Sequence, residues 1–182
     1  DNALLELMQY AHFHRVFLGI ETPIAESLKE ANKSQNTKRD LLESVKKIQS
    51  YGIEVMAGFI IGFDNDPEDI FERQINFIRE SAIPLAMVGL LTALPDTQRW
   101  KRLEREGRLV HESSGNNTDC SLKYVTKMDR ERLVEGYKAV LRNIYSPQEF
   151  YQRALDCLSR VRNNAVELQR VNFIRVTKSV FK

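Results

Sequence analysis

The sequence has little cysteine, no long apolar run and almost no excess of charge of either sign. Its two cysteines, Cys120 and Cys157, lie far apart and in no CxxC or CxxxC spacing, so neither a disulfide framework nor a cysteine metal cluster is predicted. No run of about 18 apolar residues is present, so no membrane span is predicted. The net charge of +2 comes from interspersed acids and bases, without the basic stripe that nucleic-acid binding needs.

The composition is that of an ordinary globular protein, since 42% of the residues are hydrophobic and 29% are charged. The first residues lack the basic-then-apolar pattern of a signal peptide, and we expect a soluble, cytoplasmic protein. The chain starts without Met, inside a helical pattern of apolar residues. We therefore expect it to be a piece of a longer protein.

Three apolar segments, each followed by a helical pattern, predict a parallel α/β sheet or barrel arc. The predicted strands span residues 15–21, 53–63 and 85–94. The second is apolar throughout, which favours a sheet covered on both faces. The predicted helices span residues 26–31, then from a Thr37 cap with Asp40 to a stop at Gly52, then from an Asp66 cap with Pro67 to Ser81, and finally residues 97–106.

The pattern changes after residue 108. Residues 109–127 are irregular and polar, and helical patterns resume at 129–145 and from Ser146 to Arg162, with a looser one from 163 onward. We therefore expect two regions: residues 1–108, which form the arc of about three parallel strands with helices, and residues 109–182, a loop followed by a C-terminal helical domain.

Glu21 is the most informative single residue because it closes a mostly buried strand. An ionised carboxylate away from water needs a partner, so Glu21 indicates a ligand or a functional site. The alternative is a structural carboxylate that caps a helix or pairs with an arginine. Gly58 and Gly62 likewise have an alternative explanation as packing points against helices, and Lys33 as a solvated lysine.

Four spaced motifs together resemble the radical S-adenosylmethionine superfamily from its fourth core strand onward. They are Gly19-Ile20-Glu21-Thr22-Pro23, Lys33-Ser34-Gln35-Asn36, Gly58-Phe59-Ile60-Ile61-Gly62-Phe63-Asp64 and Leu90-Leu91-Thr92-Ala93-Leu94-Pro95-Asp96-Thr97. The sequence is most similar to the cobalamin-binding branch, which includes anaerobic magnesium-protoporphyrin IX monomethyl ester oxidative cyclases and hopanoid-modifying enzymes. Residues 115–118 and 135–147 resemble the helical region that follows the barrel in that branch.

The resemblance implies a partial TIM-like (β/α)6 barrel with S-adenosylmethionine across the carboxyl ends of its strands, where parallel α/β sheets generally bind ligands. It implies that Glu21 contacts the ribose or amino group of the cofactor and that Lys33 contacts its carboxylate. It further implies that Gly58, Ile60 and Gly62 form the adenine wall, and that Leu91 offers backbone groups to the adenine edge. None of these residues is expected to be catalytic, and no metal ligand is expected among them.

The cysteine loop that holds a [4Fe–4S] cluster in this superfamily is absent from the sequence. We expect it, and a cobalamin domain, in a missing N-terminal half. The resemblance implies a parent enzyme that activates a C–H bond of a small-molecule substrate for methylation or oxidative cyclisation, with this chain supplying part of the cofactor pocket and unable to catalyse alone. The alternative is a non-catalytic α/β binding or scaffold module.

Two further expectations concern surfaces. Asn116, Asn117 and Thr118 contact substrate in the parent enzyme or simply form a turn, and the sequence leaves both possibilities open. The strand that ends at Glu21 is expected to be an open edge of the truncated barrel, and open edges favour pairing with another chain. We therefore expect either self-association or an element of this chain folded over that edge.

Overall fold

A computed structural model of the chain describes residues 1–33, 40–110, 122 and 124–162, and within them three strands and seven α-helices. The strands are β1 (Arg15–Glu21), β2 (Glu54–Ile61) and β3 (Ala86–Leu90). The helices are α1 (Asn2–Tyr10), α2 (Ala25–Glu30), α3 (Leu41–Ser50), α4 (Ile70–Ser81), α5 (Gln98–Arg105), α6 (Arg130–Ile144) and α7 (Pro147–Arg162).

The three strands form one parallel sheet in the order β1-β2-β3. After β1 and after β2, helices return the chain to the amino end of the next strand. Parallel strands require a crossover connection of this kind. In register, Gly19 of β1 lies beside Gly58 of β2, and Gly58 lies beside Met87 of β3. The predicted α/β class, a partial barrel arc of three parallel strands followed by a helical region, is confirmed.

The two faces of the sheet differ sharply. Along β2 the side chains alternate, with Val55, Ala57, Phe59 and Ile61 buried in the core that α3, α4 and α6 cover. The opposite face, which we call the open face, carries Phe17 at 55% exposure and Met87 at 61%. The prediction of a sheet covered on both faces is therefore wrong for the described residues, because a continuous apolar run does not reveal which face is packed.

Several predicted boundaries also shift. The third strand ends at Leu90 instead of residue 94, and α4 begins at Ile70 after Asp69 instead of at Pro67. Asp66 does not cap the helix; its carboxylate accepts hydrogen bonds from the amides of Gly62 and Phe63. Thr37 lies outside the described residues, and the cap observed for α3 is Asp40, whose side chain accepts from the next amides along the helix.

Helix α6 packs on the sheet as part of the main core. Leu133, Val140 and Ile144 of α6 belong to the same hydrophobic cluster as the strands. Gly136 lets α6 lie close to α4, since an added Cβ would collide with the Phe71 ring. The division at residue 108 stays a prediction, and the expected tail helix from residue 163 and the loop of residues 115–118 lie outside the described residues.

In the part of the chain that the structure describes, no helix is both long and apolar enough to cross a membrane.

Candidate functional site

A bulge at the carboxyl end of β1 sets the position of Glu21. The register with β2 shifts between Gly19 and Glu21, and Glu21 has a φ of 69°. The Thr22 amide donates to the Ile20 carbonyl at 2.9 Å and closes a tight turn at this point. A glutamate in the left-handed backbone region is uncommon, and this conformation costs free energy. Bulges in strands often redirect side chains beside functional sites.

The carboxylate of Glu21 turns back over Gly19 and meets Lys33. A Cβ on Gly19 would lie only 2.8 Å from Glu21 Oε1, so this glycine makes room for the carboxylate. Lys33 Nζ lies 3.6 Å from the same oxygen, and the side chains are 40% exposed for Lys33 and 17% for Glu21. The structure thus brings together the two predicted polar residues and leaves both accessible from the edge of the sheet.

Gly58 and Ile60 lie on the open face of β2, next to this pair. Both are half-buried, and the added Cβ at Gly58 would lie 3.3 Å from the Phe17 ring. Phe17 therefore occupies part of the space that the missing side chain leaves. The prediction that Gly58 and Ile60 face the cofactor is compatible with their place on this face and remains a prediction.

Gly62, directly after β2, has a φ of +108°, a conformation that favours glycine. A side chain there would also approach Leu133 of α6 at 3.3 Å, so packing as well as backbone conformation explains this glycine. Leu91 is buried, and its amide donates to the Ile61 carbonyl at 2.8 Å. Any contact of Leu91 with a cofactor would therefore come from its carbonyl or side chain.

A buried ionic network lies beside the strand ends, and the sequence reasoning missed it. Glu30 Oε1 accepts from Arg99 at 2.7 Å and from Arg102 at 2.9 Å. Asp64 accepts from Arg102 at 2.8 Å and, through both oxygens, from Arg108 at 2.8 Å. Glu30 and Asp64 are only 4% and 5% exposed, so their charges depend on these arginines. No local motif indicates such a network, since its members lie up to 78 residues apart.

The electrostatics of the loop after β2 are set by this network. Burial alone would raise the pKa of Asp64, but the hydrogen bond and charge of Arg108, with the charges of Arg102 and Arg99, outweigh it and hold the pKa below its usual value. Burial raises the pKa of Asp66, although Ser27 and the amides of Gly62 and Phe63 bond to its carboxylate. The pKa values of the two aspartates are therefore shifted in opposite directions.

Among the described residues, no group of three or more histidine, cysteine or acidic side chains is placed to hold a metal ion. The structural class is thus an open parallel α/β sheet with an acid–base pair at its carboxyl edge, where such sheets bind small ligands.

Comparison with known proteins gives a narrower relationship. Residues 97–181 match the model of a domain of unknown function, DUF4070. An uncharacterized methyltransferase of Synechocystis is 39% identical over 162 residues, which are 88% of this chain and 30% of that protein. The hopanoid C-2 methylase of Rhodopseudomonas palustris is 40% identical over 150 residues, 82% of this chain and 28% of that protein. The bacteriochlorophyllide d C-12(1)-methyltransferase of Chlorobaculum tepidum is 26% identical over 137 residues, 75% of this chain and 30% of that protein.

These matches show that the chain is related to the cobalamin-binding branch of the radical S-adenosylmethionine superfamily, and that its relatives are methyltransferases. The chain spans about 30% of the length of the relatives it matches.

Proposed function

We propose that this chain is the carboxyl-terminal part of a radical S-adenosylmethionine enzyme that methylates a carbon atom of a small-molecule substrate, and that it holds one side of the S-adenosylmethionine. The observation that carries the proposal is the Glu21–Lys33 pair, folded over Gly19 at the carboxyl edge of a parallel sheet. The names of two relatives support methylation at carbon, since they specify C-2 of a hopanoid and C-12(1) of bacteriochlorophyllide d.

The pair has the chemistry that the amino-acid end of S-adenosylmethionine requires. That end carries an ammonium and a carboxylate, and the ribose next to it carries two hydroxyls. Glu21 is an acceptor for the ammonium or the hydroxyls, and Lys33 is a donor for the carboxylate. Both side chains are already oriented by contact with each other, so less ordering is needed when the ligand binds.

The open face provides an apolar surface for the adenine. Ile60 is half-buried there, and Gly58 lets a flat ring approach the backbone once Phe17 moves aside. Gly62 and Leu91 border this surface at the ends of their strands. When bound there, S-adenosylmethionine would supply the radical chemistry that activates a carbon–hydrogen bond.

The cluster and the cobalamin belong, in this proposal, to parts of the enzyme outside these residues. The sequence contains Cys120 and Cys157 and no cysteine triplet of the CxxxCxxC type. This chain would therefore contribute cofactor binding, and the whole enzyme would contribute the redox chemistry. Any contact of Asn116, Asn117 and Thr118 with the substrate is part of the same proposal.

The test is S-adenosylmethionine binding by the full-length protein, reconstituted anaerobically with iron and sulfide and measured by equilibrium dialysis. Glu21→Gln removes the charge and keeps the size of the side chain, and loss of a charge-assisted hydrogen bond should weaken binding by about 10- to 100-fold. Gly19→Ala should also weaken binding, because its new methyl group displaces the Glu21 carboxylate without removing it.

Glu54→Gln is the matched control. Glu54 is also a half-buried strand glutamate in an ion pair, with Arg15 at 2.8 Å, but it lies at the amino end of β2. It should leave the affinity unchanged. Wild-type affinity in the Glu21→Gln protein would refute the role of Glu21. A full-length protein that binds no S-adenosylmethionine and forms no 5′-deoxyadenosine would favour the scaffold alternative.

A further inference from the structure

Both backbone polar groups of Gly62 form hydrogen bonds with side chains, one from the same turn and one from a distant part of the chain. Its amide donates to Asp66 Oδ2 at 2.8 Å, and Asp66 Oδ1 accepts from the Ser27 hydroxyl at 2.7 Å. Its carbonyl accepts from the Tyr124 hydroxyl at 3.2 Å. We call this arrangement the Gly62 clamp. It fixes the first residue after β2, where the strand enters the candidate cofactor surface.

The direction of the Tyr124 hydrogen bond is determined by Arg99. Arg99 Nη2 lies 3.3 Å from the Tyr124 oxygen, and its guanidinium lies 5.2 Å from the centre of the Tyr124 ring. Because a guanidinium can only donate, the tyrosine oxygen accepts from Arg99 and its single hydrogen is left for Gly62. Tyr124 is only 3% exposed, so water does not compete for this hydrogen.

The clamp joins two distant parts of the sequence. Tyr124, Arg99 and the other arginines of the ionic network lie within residues 97–181, the range that matches the domain model. Glu30 and Asp64, which bind those arginines, lie in the strand–helix units before it. Tyr124 is held in place by an antiparallel bridge to Leu109 and by packing with Ala93 and Leu103.

We propose that Tyr124 is a positioning residue for the cofactor surface: its hydroxyl holds the Gly62 carbonyl and thereby keeps the end of β2 in the conformation that binds S-adenosylmethionine. This rests on the proposed function. Tyr124 does not touch the cofactor in this proposal and acts through Gly62. Without the hydroxyl, the buried Gly62 carbonyl loses its partner and the strand end samples conformations that do not bind, which lowers the apparent affinity.

The experiment compares Tyr124→Phe with Tyr145→Phe in the reconstituted full-length protein. Tyr145 is a matched control because its hydroxyl also bonds to strand backbone, donating to the Ala86 carbonyl at 2.8 Å, but at the amino end of β3. Two quantities are measured: the Kd for S-adenosylmethionine by equilibrium dialysis, and hydrogen exchange of the peptide that covers residues 58–64 without the cofactor. Thermal melting establishes that each variant is folded.

We expect Tyr124→Phe to raise the Kd about fivefold to tenfold and to speed exchange at residues 58–64, an effect of the size of one lost hydrogen bond. Tyr145→Phe should change neither the Kd nor the exchange at residues 58–64. Ser27→Ala, which removes support from the other half of the clamp, should act in the same direction and serves as the test if Tyr124→Phe does not fold.

Two results would overturn the inference: a Tyr124→Phe protein with wild-type affinity, or a Tyr145→Phe protein with an equal loss of affinity. Either result leaves the proposed function standing as long as Glu21→Gln weakens binding. Failure of the wild-type protein to bind S-adenosylmethionine would instead remove the proposed function, and with it this role of Tyr124.

Discussion

Gln49 of α3 and Gln74 of α4 are both completely buried, yet only the side-chain amide of Gln49 is hydrogen-bonded within the described residues. Gln49 donates to the Ser81 carbonyl at 3.0 Å and accepts from Arg160 at 3.0 Å. Neither the oxygen nor the nitrogen of the Gln74 side chain has a hydrogen-bond partner among the described residues. A buried polar group without a partner loses its hydration and gains nothing in return.

Replacing Gln74 by Leu should therefore stabilise the protein by about 1 kcal/mol, because it removes two unpaired polar atoms and keeps the volume. The measurement is urea unfolding followed by circular dichroism. Gln49→Leu is the control and should destabilise by about 1 to 3 kcal/mol, since it removes the hydrogen bond that Gln49 donates to the Ser81 carbonyl and the one that it accepts from Arg160. A Gln74→Leu protein that is less stable than wild type would mean that a bound water satisfies the amide.

At the scale of elements, the segment between β2 and α4 is held by charge as well as by packing. Asp64 receives hydrogen bonds from Arg102 and Arg108, and Asp66 receives them from the backbone of its own turn. The hydrogen bonds of Asp64 link the loop to α5 and to the chain that follows it. Those of Asp66 fix the conformation at the end of β2. This loop is therefore the junction between the strand–helix units and the later part of the chain.

Asp64→Asn should destabilise the protein by about 3 kcal/mol at neutral pH, because it removes the buried negative charge that pairs with Arg102 and Arg108. The pKa of Asp64 is lower in the folded than in the unfolded state, so its stabilising effect is present above the ordinary pKa and is lost as the pH falls through the folded value. The difference between wild type and variant should therefore shrink below about pH 4. Asp66 is present in both proteins, so its effect on the pH dependence of stability cancels in this difference.

Urea unfolding at a series of pH values from neutral to acidic gives that difference directly. Asp69→Asn is the control, since Asp69 pairs with Arg73 across an exposed helix surface, where both side chains are about half exposed. It should change stability by less than about 1 kcal/mol at every pH. A difference for Asp64→Asn that stays constant down to acidic pH would contradict the role given to the carboxylate charge.

At the scale of the whole molecule, the two faces of the sheet are covered unequally. Helices cover one face, and the other face carries exposed Phe17 and Met87. Among the described strands β1 pairs only with β2, so within that set it is an edge strand. Phe13 and Phe17, both about half exposed, lie just before and within this edge strand.

The isolated 182-residue chain should therefore self-associate through β1, and sedimentation velocity over a range of concentrations would detect it. Phe17→Lys should shift the chain toward monomer, because a charged side chain on an edge strand opposes pairing with another strand. Tyr151→Lys, at another exposed aromatic residue, on α7, should leave association unchanged. A strict monomer whose β1 amides are protected from hydrogen exchange would instead indicate that another part of the chain covers the edge.

Much of the fold followed from local patterns. The three strand–helix units, the Gly52 stop and the Ser146–Pro147 helix start are readable because hydrophobic period and capping chemistry act between residues a few positions apart. The end of β3 and the start of α4 were misplaced. Asp66, which precedes α4, has the residue pattern of a helix cap, but its carboxylate accepts hydrogen bonds from the Gly62 and Phe63 amides instead.

The sequence by itself determined the parallel α/β class, the family relationship and the choice of Glu21, Lys33 and the strand glycines as candidates. Only the tertiary structure decided that Glu21 and Lys33 form an ion pair, that the Glu21 carboxylate lies over Gly19, and that the Tyr124 hydroxyl donates to the Gly62 carbonyl. The physical reason is distance along the chain. A strand or a helix cap depends on near neighbours, whereas an ion pair or a buried hydroxyl depends on residues that meet only once the chain has folded.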